Sequence, residues 1–284
     1  MFVTLPLGIH PWNAAIETQS QLSEHFIDEA LHVCEAAARA GGQELLAFRG
    51  RFQTREKGRA DLVTDADESS QEAIRRLILA KFPDHAFVGE EHSLDKPPTG
   101  SSDFTWVADP LDGTTNYVHG YPQYGVSLAL VRGNELLVGV VYDPVGDVCF
   151  SAASGRGAWC DSVAMKTSAI GNVHGSLVAV SLPAHVQRDS RDLLDFVEAA
   201  QACQAVRRSG SAALNFAYVA KGALDAFWAS HIHPWDVAAG VLLVREAGGV
   251  VTARDGGEFD LWKPNFLAAA NAELHAGLLN VLAR

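Results

Sequence analysis

The sequence predicts an α/β protein in which helices cover mixed sheets. Strand-like and helix-like segments alternate along its 284 residues, and such alternation stacks helices against sheet faces. The composition allows a substantial core, with 48% hydrophobic and 20% charged residues, as in ordinary globular chains. Five acids, Asp67, Glu90, Asp109, Asp112 and Asp236, fall where a predicted strand ends or a predicted helix begins. Open sheets gather ligands at such places.

Residues 1 to about 20 read as an irregular lead-in. From His25 to Phe48 the apolar positions Phe26, Ala30, Val33, Ala37, Leu45 and Phe48 recur at roughly helical spacing, despite Gly41 and Gly42. The polar stretch "RGRFQTREKGRAD" follows, then a helix opened by Thr64-x-x-Asp67, the pattern of a capping box. Its buried stripe is predicted to be Ser70, Ala73, Ile74, Leu77 and Ile78, and Pro83 stops it. "AFVGEE" reads as a short buried strand ending in Glu90 and Glu91. After the loop "SLDKPPTGSSD", the strand "FTWVAD" delivers Asp109. "YGVSLALVRGNELLVGVVYDP" gives two strands about an Arg-Gly-Asn turn, and "DVCFSAASGRGAWC" continues the antiparallel pattern.

The second half opens on the strand "SLVAVSLP" and a helix across "RDLLDFVEAAQAC". "SGSAALNFAYVAKG" is a helix starting on small residues, and "ALDAFWA" is a strand. "WDVAAGVLLVREAGG" is a helix with a glycine stop, and "VVTARDGG" is a strand and turn. No repeat, low-complexity tract or linker divides the chain. One unit over 1–284 is therefore expected, with an N-terminal α+β half over about 25–165 and a C-terminal α/β half over about 166–284.

Charge narrows the partners. Lys and Arg number 22 against 34 Asp and Glu, a formal charge of -12, which argues against a nucleic-acid surface. No run of ~18 apolar residues could span a bilayer, and "MFVTLPLGIHPWN" has no basic region and two prolines, unlike a signal peptide. Cys34, Cys149, Cys160 and Cys203 form no CxxC pair and read as buried thiols in a reducing compartment. A cytoplasmic location is expected.

The stretch "WVADPLDGTTNYVHG" concentrates the chemistry. Asp109 and Asp112 lie three residues apart at the end of a buried strand, where two carboxylates repel unless a cation lies between them. Taken singly, each of the five acids could be a helix cap. Together with the Leu111 carbonyl, this turn supplies hard oxygen donors suited to Mg²⁺, two or more ions. Backbone N–H groups of Gly113 and Thr114 could cradle a phosphate.

"WVADPLDGTTNYVHG" and "WDVAAGVLLVREAGG" resemble the two signatures of the inositol monophosphatase family, and "DLVTDAD", "FVGEE" and "RRSGSAALN" match it in the same order, over residues about 25 to 282. The resemblance implies a five-layered αβαβα sandwich, a homodimer, and Mg²⁺-dependent, lithium-sensitive hydrolysis of a small phosphorylated polyol or sugar-like ester. By position, it places one ion on Glu90, Asp109 and the Leu111 carbonyl, and a second on Asp109, Asp112 and Asp236. A third, weaker ion leans on Glu90. Asp67 and Thr114 match the residues that orient and deprotonate the attacking water. Gly113 and Thr114 match the phosphate site, and Ser211 and Ala212 match a turn lining the substrate.

Metal-assisted hydrolysis needs no covalent nucleophile, which leaves Cys34 and the serines without a catalytic role. His231 and His233 read as pocket wall or structure, with a transition-metal pair as the alternative. Glu91 is either a partner of Glu90 or a solvated strand end; Lys57 either neutralises phosphate or is a solvated loop lysine. Trp106 and Trp235 read as packing. In relatives acting on inositol phosphates, a glutamate precedes a Gly-Ile-His-type tripeptide by two residues. Here that position is Ala229, and the tripeptide is His231-Ile232-His233. Ala229 cannot grip a hydroxyl, so inositol selection loses one source. Histidinol phosphate, fructose 1,6-bisphosphate and a 3′-phosphonucleotide remain alternative substrates. A non-catalytic transcription- or ribosome-associated role would call for damaged acids or a basic face, and neither is present.

Overall fold

The computed structural model describes residues 22–58, 61–91, 102–183 and 186–282, the side chains of 57, 58 and 61 apart. The expected lead-in, the loop after Glu91 and the side chain of Lys57 lie outside the described parts.

Five layers stack in the order helix, sheet, helix, sheet, helix. The outer pair is α1 (Glu24–Phe48) and α2 (Asp65–Lys81), which cover one face of a seven-stranded sheet. That sheet runs β3 (Ala86–Gly89), β4 (Phe104–Asp112), β5 (Gly125–Arg132), β6 (Glu135–Asp143), β7 (Val148–Ala153), β8 (Ala158–Cys160), β9 (Val163–Ala164) in spatial order. Only β3 and β4 pair in parallel; the other neighbours are antiparallel. The middle layer holds α5 (Ala212–Ala220) and α6 (Pro234–Glu246), buried around nearly all of their surface between the sheets. Beyond them lies a five-stranded sheet made of β10 (Leu177–Ser181), β11 (Ala205–Arg207), β12 (Ala226–Ala229), β13 (Val250–Ala253) and β14 (Phe266–Ala269), ordered β11-β10-β12-β14-β13. The last layer is α4 (Arg191–Ala202) and α7 (Ala272–Leu282). Three apolar cores fill the gaps between layers.

The glycine pair inside α1 serves close packing. A Cβ on Gly41 would sit 2.8 Å from the Ser70 hydroxyl oxygen, and one on Gly42 would sit 2.5 Å from the Tyr142 ring. The ~1 kcal/mol that each glycine costs a helix is offset by bringing α1 against both α2 and the sheet. In α2 the buried residues include Ser70, Ala73, Ile74 and Ile78, but Leu77 is 39% exposed, against expectation. The contact follows the i, i+4 row Ala66–Ser70–Ile74–Ile78–Phe82, which slants across a helix and leaves Leu77 on the open side.

Other elements depart from the pattern as well. "RGRFQTREKGRAD" contributes β1 (Thr54–Gly58), which pairs with β2 (Asp61–Thr64) in a separate two-stranded ribbon. Cys34, Cys149 and Cys203 are buried as expected; Cys160 is only half-buried, on the outlying strand β8, and all four are free thiols. Among the described residues no helix is long and apolar enough to cross a membrane.

Candidate active site

Strand β4, next to the edge strand β3, carries its first acid and then breaks register. Asp109 lies opposite Ser127 and Asp112 opposite Gly125, so Pro110 and Leu111 form a bulge against one partner residue. Pro110 has no N–H to give the ladder, and bulges re-aim side chains in this way. The Ser70 hydroxyl holds the Pro110 carbonyl at 2.9 Å, while the Leu111 N–H returns to Asp109 Oδ1 at 2.9 Å. The chain then turns through Gly113, whose φ of 94° is the left-handed region open to glycine. A Cβ there would also lie 3.0 Å from the Gln123 carbonyl oxygen. Immediately after it, Thr114 opens the short helix α3 (Thr114–Val118).

Asp112 is held from across the molecule. Its carboxylate accepts from the Ser211 hydroxyl, from the Ala212 N–H at 3.1 Å and from the Ala213 N–H at 2.8 Å, at the start of α5. Asp236 comes from the third position of α6, where its Oδ2 accepts the His233 N–H at 2.8 Å in a capping box. The Ser127 hydroxyl bonds the Trp235 carbonyl at 2.9 Å, tying α6 to β5 opposite Asp109.

Asp109, Asp112 and Asp236 thus meet, with ligand oxygens within 4.8 Å of one another. Burial pushes all three carboxyls up, and mutual repulsion together with Glu90 adds to it; Asp112 reaches about 6, restrained by its bonds to Ser211, Ala213 and Ala212. The neighbouring Asp109 carboxyl and the His233 N–H hold back part of the rise at Asp236. Buried carboxylates this close repel one another unless a cation or protons neutralise them, and the three could hold a metal ion through the hard oxygens that Mg²⁺ prefers. The donor set fits the expected metal. Glu90 lies outside this group of three, at the end of β3, where its N–H donates to the Ala108 carbonyl at 3.0 Å; it raises its neighbours through charge.

A second pair lies beside the three acids. Asp67 Oδ2 accepts the Thr64 N–H at 2.9 Å and the Thr64 hydroxyl at 2.5 Å, and its Oδ1 is 3.3 Å from the Thr114 hydroxyl. The same Thr114 hydroxyl is 3.1 Å from the Leu111 carbonyl. Desolvation lifts Asp67 to about 7, against the Thr64 bonds that lower it, with Glu91 and Glu90 adding repulsion. A carboxylate tuned near neutrality suits proton transfer.

Thr64 was visible in the sequence only as a cap; its grip on Asp67 depends on the same residue spacing. Ser211 is fully buried and bonded to Asp112, whereas Ala212 lines a cavity of about 230 Å³ in front of Asp112 and Asp236. Arg208, with no role visible in the sequence, lines that cavity too. Ala229 is fully buried in the core between the sheets, and Ser230 and His231 reach the cavity in its place. His233 stacks on Trp235 at 4.8 Å, and Trp106 is wholly buried with its indole N–H on His85 Nδ1 at 3.1 Å. Glu91 is buried, with Gln71 bonded to both its N–H and its carbonyl.

Fold and site together define a phosphomonoesterase built on clustered carboxylates. The sequence matches the profile of the inositol monophosphatase family over residues 27–284. It is 38% identical over 260 residues to the inositol-1-monophosphatase of Synechocystis, covering 89% of this chain and 88% of that one. It is 36% identical over 255 residues to the fructose-1,6-bisphosphatase/inositol-1-monophosphatase of Aquifex aeolicus, covering 88% and 94%. The crystal structure of the extragenic suppressor protein suhB of Bartonella henselae superposes with a TM-score of 0.84 at 33% identity, covering 90% of this chain and 99% of that one. The chain belongs to the inositol monophosphatase family.

Proposed function

We propose that the protein is a Mg²⁺-dependent phosphatase of inositol 1-phosphate and similar small polyol or sugar phosphates, working as a cytoplasmic homodimer. The carrying observation is the meeting of Asp109, Asp112 and Asp236 beside the Thr114–Asp67 pair. Asp109, Asp112, Asp236, Glu90 and the Leu111 carbonyl are assigned to two or three Mg²⁺ ions. When bound, Mg²⁺ neutralises the carboxylates and the phosphate and activates the phosphoryl group and the attacking water. The N–H groups of Gly113 and Thr114 hold phosphate oxygens. The Thr114 hydroxyl, held by the Leu111 carbonyl and Asp67, orients the water for in-line attack. Asp67, lifted to about 7, takes its proton, and the ester oxygen leaves on the side of Ser230 and His231, taking a proton from solvent to become the alcohol. Ser211 keeps Asp112 in place and Ala212 lines the cleft. Residues 25–165 and 166–284 act as one catalytic unit, since Asp112 is held by Ser211 from the other half.

Fructose 1,6-bisphosphate is the second reading, supported by the name of the Aquifex relative and by the burial of Ala229. Histidinol phosphate or a 3′-phosphonucleotide would use the same chemistry. A solely transcription-associated role finds less support in a chain with its acids in place and a charge of -12. Phosphate release across an ester panel at fixed Mg²⁺ tests the proposal: EDTA should abolish it, Mg²⁺ restore it and Li⁺ inhibit it. Full turnover in chelator with verified absence of metal would refute the mechanism.

A further inference from the structure

The cavity in front of Asp112 and Asp236 has an unusual far wall. Among the described residues lining it, Arg208 and His231 alone carry basic side chains. They come from separate loops, one between β11 and α5, the other between β12 and α6. Arg208 is exposed, and no carboxylate lies within ion-pair distance of it among the described residues. Asp192 of α4, the acid beside His231, is already committed: it accepts the Ser230 hydroxyl and lies 4.0 Å from both an Arg254 guanidinium nitrogen and His231 Nε2. His231 occupies the glycine position of the tripeptide, with a φ of 54°. A non-glycine side chain in that region strains the backbone. Ala229, two residues earlier, is sealed in the core and offers the ligand nothing.

We propose that Arg208 and His231 form the leaving-group wall of the cleft and select phosphate esters whose leaving group bears a second anionic group. A second anion near four carboxylates is repelled unless a cation meets it, and a guanidinium clasps phosphate or carboxylate with paired, charge-assisted bonds. Side chains at both positions are open to solvent, so they can close on a ligand without unpacking the core. The inference rests on the phosphatase reading and names the substrate class of that same site.

The test compares kcat/KM of the full chain at fixed Mg²⁺ on two matched pairs. One is 2-phosphoglycerate against β-glycerophosphate, which differ by a carboxylate. The other is fructose 1,6-bisphosphate against fructose 1-phosphate, which differ in the second phosphate. In Arg208→Gln the charged-to-uncharged ratio should fall at least about tenfold, mainly through KM, and Arg208→Lys should retain much of it. His231→Asn, which tolerates the left-handed backbone, should lower the ratio by about threefold. A fall in the bisphosphate pair alone identifies the second anion as phosphate; a fall in both identifies a general anion subsite. Ratios unchanged within about twofold in folded Arg208→Gln and His231→Asn would overturn the proposal. Wild-type protein releasing no phosphate from any ester would instead overturn the phosphatase reading and the proposal with it.

Discussion

Two strand-to-helix corners face each other across the cleft, and they are built in opposite ways. The β4–α3 corner is closed: Asp109 and Asp112 are almost without exposed surface, and Ser70, Ser211 and two α5 amides fix the turn. Its left-handed position is a glycine. The β12–α6 corner is open: His231 sits at positive φ without being glycine, and its ring borders three separate cavities. Chemistry needs fixed charges, and the closed corner supplies them. Discrimination among leaving groups, as proposed, needs accessible side chains, and the open corner presents His231 to the cavity.

The sharpest break is Asp112→Asn. Three donors point at this carboxylate, and an amide nitrogen cannot accept from them. Turnover should fall by at least ~10²-fold, and the metal-free protein should lose ~1–3 kcal/mol by denaturant titration. Asp236→Asn should lose similar activity and yet stabilise the metal-free protein near pH 7.5. Its carboxyl accepts one backbone N–H, which an asparagine oxygen can also accept, and the substitution removes a buried repulsion. Equal stability changes in the two variants would erase the distinction between the corners. Thr114→Ala should cost ~10²-fold in kcat while leaving Mg²⁺ affinity, measured by calorimetry, nearly unchanged.

Much of the closed corner was legible because its signals are local. The Thr64-x-x-Asp67 box, Asp109-Pro110-x-Asp112 and Gly113-Thr114 each declare a cap, bulge or turn within a few residues. What could not be read was which distant group meets which. Ser211 on Asp112 spans ninety-nine positions, and nothing in the spacing of either residue announces it. Strand β1 reads Thr-Arg-Glu-Lys-Gly and residues 54–56 are exposed, so it lacks the apolar alternation that marks a strand. Strands β11 and β14, three and four residues long, are too short to show a period, and α7 follows β14 after a brief turn. Ala229 shows the limit of reading by position: aligned with a ligand-gripping residue, it packs in the core instead.

Charge in the closed corner also predicts a pH response. Asp67 and Asp112 have folded values near 7 and 6 against an ordinary 3.8. An acid raised on folding binds more protons in the native state between its two values, so stability falls as pH rises through that window. The metal-free protein should therefore lose stability as pH rises from about 4 to about 7. Mg²⁺ should raise Tm more at pH 7.5 than at pH 5.5, because only the ionised cluster gains from the cation. A Mg²⁺ effect independent of pH would mean that the acids are not strained in the native state.

The smallest effect expected belongs to the open corner. His231→Gly removes a side chain from a backbone region that costs a non-glycine residue ~1 kcal/mol, while glycine loses some of that advantage through its freer unfolded chain. A net gain of ~0.5 kcal/mol in stability is expected, read from the denaturation midpoint at unchanged slope. The side chain is 73% exposed and 4.0 Å from Asp192 Oδ2, so little packing or ion-pair energy is lost with it. If His231→Gly destabilised the protein by more than ~1 kcal/mol, the ring would be a structural support of the corner. A gain in stability accompanied by loss of the charged-to-uncharged ester ratio would instead place His231 among residues kept for what they bind, in a conformation that costs the fold.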